Sequence, residues 1–582
     1  MPRYILGISC FYHDAAAALL KDGQLVAAAE EERFTRKKHD ASFPKNAVAY
    51  CLAQQGITIN DVEMVGYYEK PFLVFERLLQ TYIHTWPKGI TSFLSSMPTW
   101  LKKKLWSATI IREQLGYAGV VYQIEHHMAH AASSFLPSPF SEAAILTVDG
   151  VGEWATATMG VGTGTTISLQ KELHFPHSLG LLYSAFTYYL GFTVNSAEYK
   201  VMGLAPYGTP RYTEQILSML MDLKEDGSFA LDMSYFSYEY GLRMTNKKFD
   251  ALFGAPARLP ESPLEQRHKD IAASLQKATE EIVLRMVRFL HKETGLTNLC
   301  MAGGVALNCV ANGRIQRETP CKNIFVQPAA GDAGGAVGTA FYLWNVFKKE
   351  PRTFALPHTY WGPEYADAEI QHFLDEQKIP YERFDRAMLL DRTAQVLEEQ
   401  SVVGWFQGRM EFGPRSLGNR SILADPRNAE NWQRVNQKIK FRESFRPFAP
   451  AVLEESTADW FVLDVSSPYM LLVAQVRPEK RTIPAVTHVD GSARVQTVHV
   501  SQNPLFHDLI ARFGERTGTP VVINTSFNVR GEPIVCNYQD AYACFRRTDM
   551  DVLVLGSFFI SKRADLPPFA DRPDWREALP LD

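Results

Sequence analysis

The sequence predicts an α/β protein in two domains: a duplicated α/β unit over residues 1–350, then a further α/β domain over residues 351–582. Three observations carry this reading. The chain opens with YILGIS, AAAALLKDG and QLVAAAEEE, which read as strand, strand, DG turn and strand. A similar order returns from Ala143 in AAILTVDGVGEWATATMGVGTGTTISLQKEL, with Asp14 and Asp149 after the first strands of the two halves. The charges and prolines of NVFKKEPRTFALPHTYW then break the pattern near residue 350.

Each later element follows the same logic. Ile271, Leu275, Ala278, Ile282, Met286 and Leu290 recur at helical spacing and predict a long amphipathic helix packed on the second sheet. LCMAGGVALNCVANGRI and IFVQPAAGDAGGAVGTAFYLW are strands that end in glycines and open into helices, where backbone amides favour anions. Gly303, Gly304 and Asn308 are therefore candidates to hold adenosine or ribose. Gly331, Gly334, Gly335 and Gly338 read better as sites of tight helix packing, with Asp332 the polar exception. Two related lobes of this kind enclosing a cleft describe the actin, hexokinase and Hsp70 type of ATP-binding fold. The aromatic segment from Tyr67 to Trp106 interrupts the first lobe; it is a covering insert, a lid, an acceptor wall or a subunit contact.

Composition narrows the function classes. With 582 residues, 46% apolar, and a net charge of −4, the chain has no global basic field for nucleic acid. Seven cysteines without a CxxC pair signal neither a zinc ribbon nor a disulfide framework and fit a reducing cytoplasm. The N-terminus enters a strand-like run at once, and no apolar run approaches the ~20 residues of a membrane span.

Two groups of residues carry chemistry. In IEHHMAHAASSF, His126 and His130 share one helical face, and Asp149 arrives from the following strand, so the three can close a nitrogen and oxygen site for a divalent metal such as iron. The alternative is a surface or interfacial helix that binds nothing. Glu125 lies outside the histidine pair, so the HExxH pattern of zinc peptidases is absent. In the second domain Arg409, Arg415, Arg420, Arg442 and Arg446, with Lys440, alternate with glycines and apolar residues, which suggests an enclosed oxyanion pocket. Asn524, Thr525 and Ser526 add uncharged donors at a strand end.

Taken together, HHMAH, VDG at Asp149, EYKVMGLAPYG, AGGVALN, PAAGDAGGAVG, EFGPRSLGNRS, FRPFAP and NTSFN resemble the NodU/CmcH family of O-carbamoyltransferases over nearly the whole chain. Within that family the chain looks closest to members from the saxitoxin and nebramycin pathways. The resemblance implies a TsaD-like first domain of duplicated actin/hexokinase type and a YrdC-like second domain. It implies Fe2+ on His126, His130, Asp149 and Asp332, and Mg2+ with ATP. It further implies that carbamoyl phosphate reacts with ATP to give carbamoyl adenylate and pyrophosphate. The carbamoyl group then passes to a hydroxyl of a small molecule. Arg415, Arg446, Arg494, Asn524 and Ser526 would hold carbamoyl phosphate, with Lys440 near the ATP phosphates and Gly203 as a nucleotide contact. His13 would orient or deprotonate the acceptor hydroxyl, or serve structure alone; Lys38 would steady a phosphate or carbamoyl oxygen, or stay solvated. A homodimer is compatible with this reading. Membrane binding is not expected, and nucleic acid is an unfavoured partner. The rivals are an actin-fold kinase or ATPase and a tRNA threonylcarbamoyl-type modification protein.

Overall fold

The computed structural model describes residues 1–563, 566 and 567, and the C-terminal end of the sequence-assigned second domain lies outside the described residues. The chain forms two compact units, residues 1–31 with 39–356, and residues 32–38 with 357–582. The division at 350 read from the sequence is contiguous, whereas the structure groups residues 32–38 with the second unit. The reason lies in this short segment's partners within that unit. Phe34 packs against Met410, Ile534 and Cys536, and Arg36 donates to the carbonyls of Ile534 (2.6 Å) and Pro533 (2.8 Å).

In the first unit, β1 (Tyr4–Ser9), β2 (Ala16–Lys21), β3 (Gln24–Glu30), β4 (Val62–Tyr67) and β5 (Val121–Gln123) form one sheet in the order β3-β2-β1-β4-β5. β1 to β3 are an antiparallel meander, and β4 and β5 add in parallel on the other side of β1. The second sheet repeats this arrangement. β6 (Glu142–Val148), β7 (Ala155–Thr163) and β8 (Thr166–His174) make the meander. A small hairpin, β9 (Met221–Leu223) and β10 (Phe229–Leu231), intervenes before β11 (Asn298–Ala302), which pairs in parallel with β6, and β12 (Asn323–Val326), which pairs in parallel with β11. Equal strand order and orientation in both sheets establish the duplication that the sequence predicts. The Gln266–Thr294 helix packs on β6 and β7, and its run of buried residues from Ile271 to Leu290 is the face predicted from spacing.

Close backbone approach explains most of the late glycines. A Cβ on Gly338 would stand 1.9 Å from the Ala129 carbonyl oxygen, on Gly334 2.1 Å from that of Ala329, and on Gly335 2.8 Å from the Tyr68 ring. Gly331 is the exception, with open space around it. The helices Asp332–Phe341 and His126–Phe135 thus meet backbone to backbone, as the packing reading requires.

The second unit holds a nine-stranded mixed sheet. Its strands are β13 (Glu382–Arg383), β14 (Val403–Phe406), β15 (Arg420–Ala424), β16 (Ala449–Leu453), β17 (Leu472–Gln475), β18 (Ser492–Val498), β19 (Val521–Ser526), β20 (Val552–Leu555) and β21 (Phe558–Ser561), in the order β13-β21-β20-β14-β15-β19-β16-β18-β17. Apolar side chains bury both faces in two clusters, one around Phe461, Ile523 and Phe527, the other around Trp405, Phe506 and Val522. All seven cysteines are buried and reduced. Among the described residues, no helix is long and apolar enough to cross a membrane.

Candidate active site

In the first unit, three elements converge on one point. The His126–Phe135 helix sets His126 and His130 on one face, β6 ends at Asp149, and Asp332 starts the helix after β12. The two Nε2 atoms lie 3.0 Å apart, 2.9 and 3.2 Å from Asp149 Oδ2 and each 3.7 Å from Asp332 Oδ1. All four ligand atoms fall within 4.8 Å of one another. The two imidazoles can share one proton between their Nε2 atoms, and the same convergence of two ring nitrogens with two carboxylate oxygens forms a compact set of donor atoms. This donor set fits a divalent cation.

Surrounding hydrogen bonds hold the ligands in register. The Gly304 amide donates to Asp149 Oδ1 (3.0 Å), which turns Oδ2 toward the histidines. The buried Glu153 carboxylate accepts from the backbone N–H of His126 (3.0 Å) and of Lys70 (2.8 Å), capping the helix that carries both histidines. Tyr68 donates to Asp332 Oδ2 (3.3 Å). Burial disfavours charge on His126, yet Asp332 and the bond to Asp149 outweigh it and hold its pKa up at about 9. Burial likewise opposes ionisation of Asp149, but His126 and His130 bring its carboxyl well below the usual range. His127 points away, hydrogen-bonded to Thr147 (2.6 Å), and burial keeps its pKa well below the ordinary value.

His13 stands beside this cluster, with Nε2 3.7 Å from Asp332 Oδ2 and Nδ1 2.9 Å from Asp14 Oδ2. Asp14 Oδ1 meets His39 Nδ1 at 2.7 Å, so a His39–Asp14–His13 chain orients the ring. Against the pull of burial, Asp332 and Asp14 raise the His13 pKa to about 10.

The nucleotide candidates separate. Gly303, at φ +92°, is required by its approach to β6, since a Cβ there would stand 2.3 Å from the Val148 oxygen. Asn308 is engaged inside the protein: it caps the Cys309–Glu318 helix through Ala311 N (3.1 Å) and exchanges two 3.1 Å bonds with Gln276. Gly203 is half-buried within the Glu198–Leu204 helix, and Lys38 is half-buried in the segment grouped with the second unit.

In the second unit, the single arginine pocket read from the sequence resolves into two kinds of residue. Arg420 is fully buried, stacked on Phe406, and donates to the carbonyls of Gln407 (2.5 Å), Asn419 (3.0 Å), Pro363 (3.0 Å) and Gly408 (3.1 Å). Arg409 donates to Trp361 O (2.6 Å), and Arg442 to Asn436 Oδ1 (2.7 Å). These guanidiniums lock loops. Lys440 also anchors a loop, through Ser526 O (2.5 Å), Ser526 Oγ (3.1 Å), Asn528 O (2.9 Å) and Asn528 Oδ1 (2.6 Å).

Arg494, Asn524 and Ser526 come together on one face of the sheet. Asn524 Nδ2 donates to Gln496 Oε1 (2.7 Å), and alternation along β18 and β19 puts Arg494 and Ser526 on that same face. Arg415 lies in the loop that precedes β15. Glu411 fixes this loop by accepting from the amides of Leu417 (2.7 Å) and Asn419 (2.8 Å). Arg446 lies 3.8 Å from Glu443, in the loop that precedes β16. Sequence reading missed Glu153, Tyr68, His39, Gln496 and Glu411. Glu411 opens the EFGPRSLGNRS motif, Glu153 lies in the AAILTVDGVGEW run, Tyr68 lies in the aromatic segment and His39 follows Lys38, whereas Gln496 stood in no segment singled out.

The chain matches the family model for the carbamoyltransferase N-terminus over residues 4–341 and that for the carbamoyltransferase C-terminus over residues 394–562. The nodulation protein NolNO of Sinorhizobium fredii is 40% identical to it over 98% of this chain and 82% of its own. An uncharacterized Synechocystis protein is 52% identical over the whole of both chains. The 3'-hydroxymethylcephem-O-carbamoyltransferase of Amycolatopsis lactamdurans is 38% identical over 44% of this chain and 47% of its own.

Proposed function

The chain belongs to the carbamoyltransferase family, and from that premise we propose that it is an ATP-dependent O-carbamoyltransferase acting on a hydroxyl of a small molecule. The presence of both family domains in one chain is the observation that supports this reading most directly. In the second unit, water releases carbamate and inorganic phosphate from carbamoyl phosphate. A carbamate oxygen then attacks the α-phosphorus of ATP, expelling pyrophosphate and leaving carbamoyl adenylate. Arg415, Arg446, Arg494, Asn524 and Ser526 hold the carbamoyl and phosphoryl oxygens, and Lys440 supports Ser526 rather than contacting ATP directly.

The acceptor step belongs to the first unit. Gly203, Gly303 and Gly304 keep their roles as proposed contacts of the nucleotide or adenylate, whereas Asn308 shapes the Gly303 turn; Lys38, in the second unit, keeps its own proposed role of steadying a phosphate or carbamoyl oxygen. Oriented by Asp14, His13 holds the acceptor hydroxyl as its oxygen attacks the carbamoyl carbon; AMP leaves and the hydroxyl proton passes to solvent. When bound by His126, His130, Asp149 and Asp332, a divalent cation, for which Fe2+ is our expectation, supplies Lewis acidity toward the carbonyl oxygen. Mg2+ accompanies ATP in the first step.

Incubation with ATP and carbamoyl phosphate tests this function. AMP and pyrophosphate are expected; ADP as the only nucleotide product would favour the kinase or ATPase reading and overturn ours.

A further inference from the structure

The amide of Asn524 has only one workable orientation. Leu417 O can only accept, so the side-chain group of Gln496 that faces it, 2.8 Å away, must be Nε2. Gln496 Oε1 then faces Asn524 and accepts from its Nδ2 at 2.7 Å. Asn524 Oδ1 is thereby fixed as an acceptor, and this atom is buried without a hydrogen-bond partner. The relay spans β16, opposite whose Ala451 and Ala449 stand Gln496 and Asn524, and small alanine side chains let the two amides meet across the strand. Ser416 Oγ, in the residue whose carbonyl also accepts from Asn524 Nδ2 at 3.4 Å, is a second buried polar atom without a partner.

A buried acceptor left unpaired is costly, so its natural complement is a ligand donor. Resting on the proposed use of carbamoyl phosphate, we propose that Asn524 Oδ1 selects the carbamoyl group by accepting from its NH2, and that Gln496 is the positioning residue that sets this polarity. Acetyl phosphate has the same phosphoryl group and carbonyl but a methyl in place of NH2, so it cannot make the bond. The Leu417–Gln496–Asn524 relay therefore reads the identity of the acyl group, while the cationic side chains read the phosphate.

Calorimetric titration of the full-length protein with carbamoyl phosphate and with acetyl phosphate tests the relay. Wild type is expected to bind carbamoyl phosphate about tenfold more tightly than acetyl phosphate. Gln496→Met, close in volume but without either bond, should collapse this ratio toward one by weakening carbamoyl phosphate alone. Gln496→Glu should preserve it, because a buried carboxyl beside a carbonyl takes up a proton and can then donate to Leu417 O while accepting from Asn524. Equal binding of the two ligands by wild type, an unchanged ratio in Gln496→Met, or equal weakening of both ligands would each overturn the proposal. Selective binding without pyrophosphate release would instead defeat the adenylate reading and leave the relay standing. Absence of binding by either ligand would overturn both.

Discussion

The four-ligand cluster of the first unit and the Asn524 face of the second are both buried polar sites, but their charges are managed differently. In the first, His126, His130, Asp149 and Asp332 turn toward each other, and the carboxylates favour positive charge on His126 and on the neighbouring His13. In the second, many of the cationic side chains are bound to carbonyls, and what faces inward includes an unpaired neutral acceptor. One site draws positive charge between its carboxylates, and the other presents a specific hydrogen-bond acceptor. The difference teaches that residue type alone does not identify a ligand contact: Arg420 and Lys440 have the chemistry of phosphate binders and serve as loop anchors.

The largest expected effect strikes the first region. His130→Ala should lower carbamoyl transfer by about 10^3-fold while pyrophosphate release persists, with bound metal falling below stoichiometric in elemental analysis. Full transfer by this variant would erase the contrast between the regions.

Next, Arg420→Met should cost about 3 kcal/mol in urea unfolding, because buried carbonyls lose their donor, and should abolish adenylate formation with the loop. A variant as stable as wild type would return Arg420 to the candidate ligands. Gly338→Ala should cost about 2 kcal/mol by forcing apart the two helices that bear His126, His130 and Asp332, and should weaken metal retention more than carbamoyl phosphate binding. Equal losses at both sites would refute a local effect.

The smallest change lies outside both regions. Against the opposing pull of burial, the His488 ring 3.6 Å away and hydrogen bonds from Ser492 lower the Asp490 pKa to about 2, so this depressed acid adds stability above about pH 4 that is lost as pH falls toward 2. Since the side chain is 44% exposed, Asp490→Asn should cost only about 0.5 kcal/mol at pH 7, a gap that closes in acid. Urea midpoints at pH 7 and pH 3 measure it.

Legibility followed the range of the interactions. His126 and His130 are visible because i, i+4 spacing on a helix is local, and Asp149 because it ends a strand-like run. Asp332 stood out as the polar residue of a small-residue turn, but its ligand role entered only through family resemblance, since its place depends on how closely Gly338 lets two helices pack. Glu153 and Gln496 left no local pattern at all: one acts on a helix 27 residues away, the other across an intervening strand.

By itself, then, the sequence determined the duplicated strand order, the long amphipathic helix and the histidine pair, all written in short-range periodicity. Tertiary structure alone decided which cations anchor loops and which way the Asn524 amide points. Those outcomes depend on carbonyls and amides brought close by packing, and main-chain groups carry no residue-specific mark in the sequence.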